Sequence, residues 1–293
     1  MNKLEGSLLV LAGAACFGCS GTLAALAPEG ATPYVVGGTR MLMSALTLFA
    51  VLLITTRHLP VLKGMPLKSY LIVTFAMWLY QVTFFQGLVL TGVAVGTVVS
   101  IGTTPIASGI IVWVLDKKAP GKIWLFATLI AVAGVVLLNY TPGVEINPAG
   151  VLLPLTAGIC YAFEIYYSAD MIKKVNPMAA TMAVHLLAGI CLVPFFFFYP
   201  FAWVLTPDGM LSVFLLGAVS AALPFSLMFW GMKVTPPAIA STLSLAEPMT
   251  AACLGIFLLG EPCKATTVVG IAAIFVSVLI IVFFESRGEK AKA

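Results

Sequence analysis

Ten apolar stretches, each close to the length needed to cross a bilayer, follow one another along this chain. They run over residues 6–26, 34–55, 68–90, 93–115, 122–139, 149–171, 178–200, 209–232, 236–259 and 265–284, and a spanning α-helix needs about 20 mostly apolar residues. The breaks carry turn-forming residues such as Pro28-Glu29-Gly30, Thr91-Gly92, Pro120-Gly121, Pro142-Gly143 and Pro236-Pro237. Such spacing leaves short loops and no room for a soluble domain. Of the 293 residues 61% are apolar and 9% charged, whereas a soluble domain runs nearer about 45–50% and about 25%. One core cannot hide that much apolar surface from water. Soluble enzymes, nucleic-acid binders and disordered chains are excluded. The first stretch, Gly6 to Leu26, is long enough to span and reads as a helix, with no cleavable signal visible.

The few charges orient these spans. With ten helices, Lys3, Arg57, Lys63, Lys68, Lys117, Lys118, Lys122, Lys173, Lys174, Lys233, Arg287, Lys290 and Lys292 fall on one side. The other side receives Lys264, against Glu29, Glu145, Asp208 and Glu261. Cytoplasmic loops carry the excess of Lys and Arg, so both termini are expected in the cytoplasm of a multi-pass cell (inner) membrane protein. Miscounting one helix would scatter the later charges onto both sides.

The chain also repeats itself. Gly6-Ser-Leu-Leu-Val-Leu-Ala-Gly-Ala-Ala-Cys16-Phe17 aligns with Gly150-Val-Leu-Leu-Pro-Leu-Thr-Ala-Gly-Ile-Cys160-Tyr161 at a shift of 144, which also pairs Gly87 with Gly231 and Ala94 with Ala238. Within one residue of that shift, Arg40 meets His185 and Pro105 meets Pro248. Two halves of five helices, residues 1–145 and 146–293, follow as one transporter domain. An odd number of spans per half makes the halves oppositely oriented, and inverted repeats suit alternating access to a midplane site. The expected fold is therefore all-α integral membrane, ten transmembrane helices as two inverted five-helix repeats.

At this point the chain resembles the ten-helix drug/metabolite transporter (DMT) superfamily, in particular its EamA-type members. The resemblance rests on the 5+5 pattern, Arg40 in the second span, Ala246-Glu247-Pro248, and Leu258-Leu259-Gly260-Glu261; the first half has Thr104-Pro105 and Lys118 at the equivalent places. It implies a secondary transporter for small metabolites with its cavity between the halves.

An ionisable group inside the membrane is costly and calls for a partner or a task. Four are expected there: Arg40, Glu164, His185 and Glu247. Cys160 and Tyr161 precede Glu164, and Tyr167 and Ser168 follow it, at spacings that share its helix face. A carboxylate with tyrosines a turn away on either side is a seat for an ammonium group, or else a neutral acid bonded to a neighbouring helix. Glu247 precedes Pro248, which frees a carbonyl, and broken helices at matched positions mark transporter sites; Pro105 is the matched proline. Recognition and gating are equally open to Glu247. Arg40 either pairs with a carboxylate, binds one on a substrate, or snorkels outward. His185 is structural or a proton carrier. Trp78, Gln81 and Phe85 form a stripe that either meets a ligand or packs. Trp203 and Trp230 read as interfacial anchors, and Gly92-x-x-x-Gly96 as close helix packing.

No H-E-x-x-H, G-x-S-x-G or Walker A motif is present in the sequence, so no enzyme activity, metal or cofactor is expected. Five of the six cysteines lie in apolar runs and read as small hydrophobes. The expected function is gradient-driven transport, without ATP, of a small polar organic metabolite that is amino-acid-like or an amine or organic cation. Substrate contacts fall to Glu164, Tyr161, Tyr167, Trp78, Gln81 and Glu247. Coupling or gating falls to Glu247, His185, Arg40, Pro105 and Pro248, with the proton as candidate coupling ion. Expected partners are the solute and the bilayer, not nucleic acid, for a monomer or homodimer. The rival reading is a non-transporting membrane sensor or assembly subunit, against which the short loops argue.

Overall fold

The computed structural model describes residues 1–25, 27–140, 148–260 and 262–290. The expected division at 145 and 146 lies outside them, as do Leu26, Glu145, Glu261 and Lys292. Helices α1 (Lys3–Ala25), α2 (Pro33–Thr56), α3 (Leu67–Thr91), α4 (Val93–Asp116) and α5 (Lys122–Leu138) form the first half. The second half holds α6 (Pro148–Met171) and α7 (Pro177–Leu192, extended by a 3-10 turn over Val193–Phe197), then α8 (Pro207–Gly231). Helix α9 comes in two pieces, α9a (Pro237–Leu243) and α9b (Ala246–Leu259), and α10 is Ala265–Lys290. Among the described residues nine helical stretches are long and apolar enough to cross a membrane; α5, at 17 residues, is a shorter apolar helix.

Local chemistry sets where these helices start and stop. Asn2 and Glu5 cap α1 reciprocally: Glu5 N–H donates to Asn2 Oδ1 at 2.8 Å while Asn2 N–H donates to Glu5 Oε2 at 3.0 Å. Helices α2, α6, α7, α8 and α9a open on proline, whose missing N–H costs nothing in the first turn. Asn176 accepts from Met178 N–H at 2.9 Å and Thr206 from Gly209 N–H at 3.1 Å to cap α7 and α8. Arg57 and Lys117 end α2 and α4 in left-handed conformations, placing positive charge at helix C-termini. Gly92, with φ 81°, turns the chain between α3 and α4 and has open space where a side chain would stand. It is a turn glycine, not the packing glycine its Gly-x-x-x-Gly spacing predicts.

Packing is reciprocal between the halves. Helix α1 packs on α8 and α9b, α6 packs on α3 and α4, α2 pairs with α7, and α5 with α10. Glycines let the backbones close in: a Cβ on Gly134 would lie 2.9 Å from Gly270 O, and one on Gly270 2.7 Å from Gly134 O. The starts of α1 and α3 and the ends of α4, α6 and α8 gather at one end, where Ser69 donates to Asp170 at 2.7 Å and Tyr166 donates to Asp116. That end carries Lys3, Lys68, Lys117, Lys173 and Lys233, and is called the basic end below. At the opposite end Tyr34 stacks on Phe195 with centroids 5.1 Å apart and donates to Gln86. Trp203 is buried there against Val35 and Val213 rather than anchoring at an interface, because the 3-10 turns after α7 fold it inward. Trp230 is exposed, with Lys233 Nζ 4.3 Å from its ring centre.

Candidate functional site

The polar centre is built where α9 breaks. Pro248 has no N–H to offer the carbonyl four residues back, Ser244 O. Glu247 N–H takes that carbonyl instead at 3.0 Å, and Leu245 N–H bonds Thr242 O at 3.1 Å, so the chain tightens into a 3-10 turn at Ser244–Leu245. Three hydroxyls just upstream add competition, with Ser241 and Thr242 donating to Ala238 O and Ser244 to Ala240 O at 2.8–3.2 Å. Glu247 thereby stands half-buried in the first turn of α9b, where unpaired N–H groups favour a carboxylate. The matched Pro105 does not break α4, which is helical from Val93 to Asp116. The expectation of paired breaks is corrected to one. Thr104 there donates to Ser100 O at 3.0 Å and to Gly158 O at 3.3 Å, the latter tying α4 to α6.

Around the break lies a cavity walled by Tyr80 of α3, Ser100, Ile101 and Thr104 of α4, Tyr161 of α6, and Ser241, Ser244, Leu245 and Glu247 of α9. Its volume of ≈ 10 Å³ is about that of a single water. Tyr161 reaches Met228 Sδ with its hydroxyl at 3.5 Å, and its ring is 5.8 Å from that of Tyr80. Arg40 comes in from α2 and interacts electrostatically with Glu247, Tyr80 and Tyr161. Its Nη2 donates to Ser20 Oγ of α1 at 3.4 Å and to Ser220 O of α8. The latter carbonyl has no α-helical donor, because the residue four on is Pro224, in a helix that is π-wound over Leu215–Ala222. Arg40 forms no ion pair with Glu247 among the described residues; one carbonyl and one hydroxyl oxygen hold it instead.

Of the residues singled out from sequence, Tyr161, Glu247, Arg40, Pro105 and Pro248 meet at or beside this centre. Glu164 is 2% exposed and accepts no hydrogen bond among the described residues, yet interacts electrostatically with Tyr80 and Tyr161 just outside the cavity lining. Tyr167 does not close around Glu164; its ring contacts are Phe163 and Tyr166 of its own helix. Gln81 and Phe85 turn to Gly37 of α2, and Trp78 lies beside Phe75, so that stripe is outside the cavity. His185 is buried, its Nδ1 2.7 Å from Ser44 Oγ and its ring edge-on to Phe225. Tyr80, Ser100 and Ser244 escaped the sequence reading, although Ser100 and Ser244 are themselves paired by the 144-residue shift.

Fold and centre together define a multi-pass membrane protein with a charged, hydroxyl-rich core between its halves. A family model described as the EamA-like transporter family matches residues 4–140 and again 148–283. The chain belongs to that family of membrane transporters, and so handles a small-molecule substrate in a cell membrane. Over 288 residues it is 36% identical to "Uncharacterized transporter YwfM" of Bacillus subtilis (strain 168), covering 98% of this chain and 97% of that one. "Uncharacterized inner membrane transporter YicL" of Salmonella typhimurium (strain LT2) is 25% identical across 98% of both chains. A solved crystal structure superposes with a TM-score of 0.83 over 97% of this chain and 98% of that one, at 16% identity, which speaks to the fold alone.

Proposed function

We propose that the protein is a secondary transporter that carries a small polar organic metabolite, amino-acid-like or an amine, by alternating access between two inverted five-helix halves. In this reading α5 is the tenth span and the basic end faces the cytoplasm. One observation carries the reading: the break in α9 sets Glu247, Tyr161, Tyr80 and paired hydroxyls around a cavity walled by both halves. The reciprocal packing of α1 on α8 and α6 on α3 supports a two-fold relation between those halves. A carboxylate beside two aromatic rings suits an ammonium group, and the Arg40 guanidinium on the facing side suits a carboxylate. Glu164, behind Tyr161, is the second acid of the same centre and the candidate for proton coupling. A cavity of ≈ 10 Å³ holds no metabolite, so the helices must part for loading, as alternating access requires. Catalytic and nucleotide motifs are missing from the sequence, and a solute or ion gradient drives the cycle.

Flux measured with purified protein in liposomes tests this directly. Labelled amino acids and amines, chosen by the thermal shift they produce, should cross faster than in protein-free vesicles, and a pH gradient should change the rate. Glu164→Gln should abolish that flux while the protein still accumulates. Absence of flux with every ligand that stabilises the fold would sink the reading. Full transport by Glu164→Gln would remove that residue from it, and a rate indifferent to the pH gradient would mean facilitated diffusion.

A further inference from the structure

A pathway through the centre needs a mouth at each end. Opposite the basic end, a crevice of ≈ 240 Å³ opens between α1 and α8. Leu23 and Pro28 line one side, Leu211, Ser212 and Leu215 the other, and Asp208 brings a carboxylate from the first turn of α8. Following each wall inward by one turn leads to a common point. On α1, Ser20 lies three residues before Leu23; on α8, Ser220 lies five after Leu215, one i→i+5 step of the π-helix. Arg40 joins these two residues, through Ser20 Oγ at 3.4 Å and the Ser220 carbonyl, which Pro224 leaves without an α-helical donor. On its other side stand Glu247, Tyr80 and Tyr161 of the centre.

We infer that the α1–α8 crevice is the outer vestibule of the pathway and that Arg40, bridging Ser20 and Ser220, is the latch that shuts it from the central cavity. The bridge suits a latch because it is incomplete. A guanidinium carries five donors, and Arg40 Nε is buried with no partner among the described residues, so both hydrogen bonds rest on one terminal nitrogen. A fully bonded Arg would be a fixed strut; an under-bonded one is released at modest cost. The π-winding is then the device that presents a main-chain carbonyl to a side chain from another helix. Asp208, at the entrance, makes the vestibule attractive to cations before they meet the latch.

The inference rests on the transporter reading, and accessibility separates the two. In full-length protein with its six native cysteines replaced, single cysteines are introduced as Leu211→Cys in the crevice and Ser244→Cys in the cavity. A membrane-impermeant maleimide is applied to intact cells and to inverted vesicles. Leu211→Cys should react in intact cells, from the outer face, and not in inverted vesicles; reaction from the cytoplasmic side only, or from neither side, overturns the vestibule. From that same face Ser244→Cys should react slowly, and Arg40→Ala should speed it about tenfold or more, the shift expected on losing charge-assisted hydrogen bonds. Ser20→Ala, which keeps the charge and removes one bond, should give a smaller increase and serves if Arg40→Ala fails to accumulate. An unchanged Ser244→Cys rate in whichever of these variants folds overturns the latch. Accelerated labelling without liposome flux would leave the latch standing and remove the transporter reading.

Discussion

Pro105 and Pro248 stand at matched places in the two halves, yet only one of them opens its helix. Each removes the N–H that the carbonyl four residues back would use. In α9 that carbonyl, Ser244 O, is taken up by Glu247 N–H, and three upstream hydroxyls compete for the next ones. In α4 the residue before the proline is Thr104, whose hydroxyl ties its own turn to Ser100 O and to Gly158 O of the neighbouring helix. A proline supplies the opportunity for a break without dictating it. Where the residue before it is a glutamate the helix is broken and a carboxylate faces the centre. Where it is a threonine the helix runs on, tied to α6 through Gly158 O.

The comparison is tested most severely at the residue that differs. Glu247→Gln keeps the shape of the break and removes the charge. If the open side of the comparison is where solute binds, uptake into liposomes should fall about 100-fold, the scale for losing one partner of a desolvated charge pair. Thr104→Ala in the other half should leave solute affinity within about twofold, because its hydroxyl serves the backbone. Equal losses from the two variants would mean that the halves share the work and that the break is incidental.

The prolines themselves give the next effect. Pro248→Ala returns an N–H to Ser244 O and should let α9 close toward the continuous form of α4. Flux should drop about tenfold through misorientation of the Glu247 carboxylate, while the protein melts no lower, since proline inside a helix costs about 3 kcal/mol relative to alanine. Pro105→Ala lies in a helix that is already continuous and should change flux by about twofold or less. Thermal denaturation in detergent alongside flux reads both arms, and a Pro105→Ala variant as impaired as Pro248→Ala would erase the asymmetry.

These features differ in how plainly the chain announces them. Helix positions were legible because apolar length and prolines act locally, and Glu247-Pro248 was legible because a missing N–H has the same consequence anywhere. Which face of a helix turns inward was not. In spans apolar almost all round there is no stripe to read: Gln81 is buried but packs on Gly37 of α2, while Tyr80, one residue away, lines the cavity. Trp203 looked interfacial because its burial depends on two 3-10 turns that bring it onto Val35. The π-winding of α8, which packs there on α1 and α2, is not announced by Pro224 alone. Ser100 and Ser244 are legible through the repeat, since the 144-residue shift pairs one hydroxyl with the other.

The smallest effect belongs where the halves are treated alike. At the α5–α10 crossing, Gly134 and Gly270 each press against the other's carbonyl, with ideal Cβ positions 2.9 and 2.7 Å from it. Backbone oxygens cannot swing aside as a side chain would, so an added methyl must push the helices apart. Gly134→Ala and Gly270→Ala should each destabilise the fold by about 1–3 kcal/mol, the range for overpacking a close contact. Because the crossing is reciprocal, the two losses should agree within about 1 kcal/mol, and flux per folded molecule should be unaltered. Denaturation of the two variants side by side makes the measurement. Should one glycine tolerate the methyl and the other not, the asymmetry seen at the prolines would extend to the scaffold itself, and the break in α9 would have to be explained by how the halves pack rather than by the residue before Pro248.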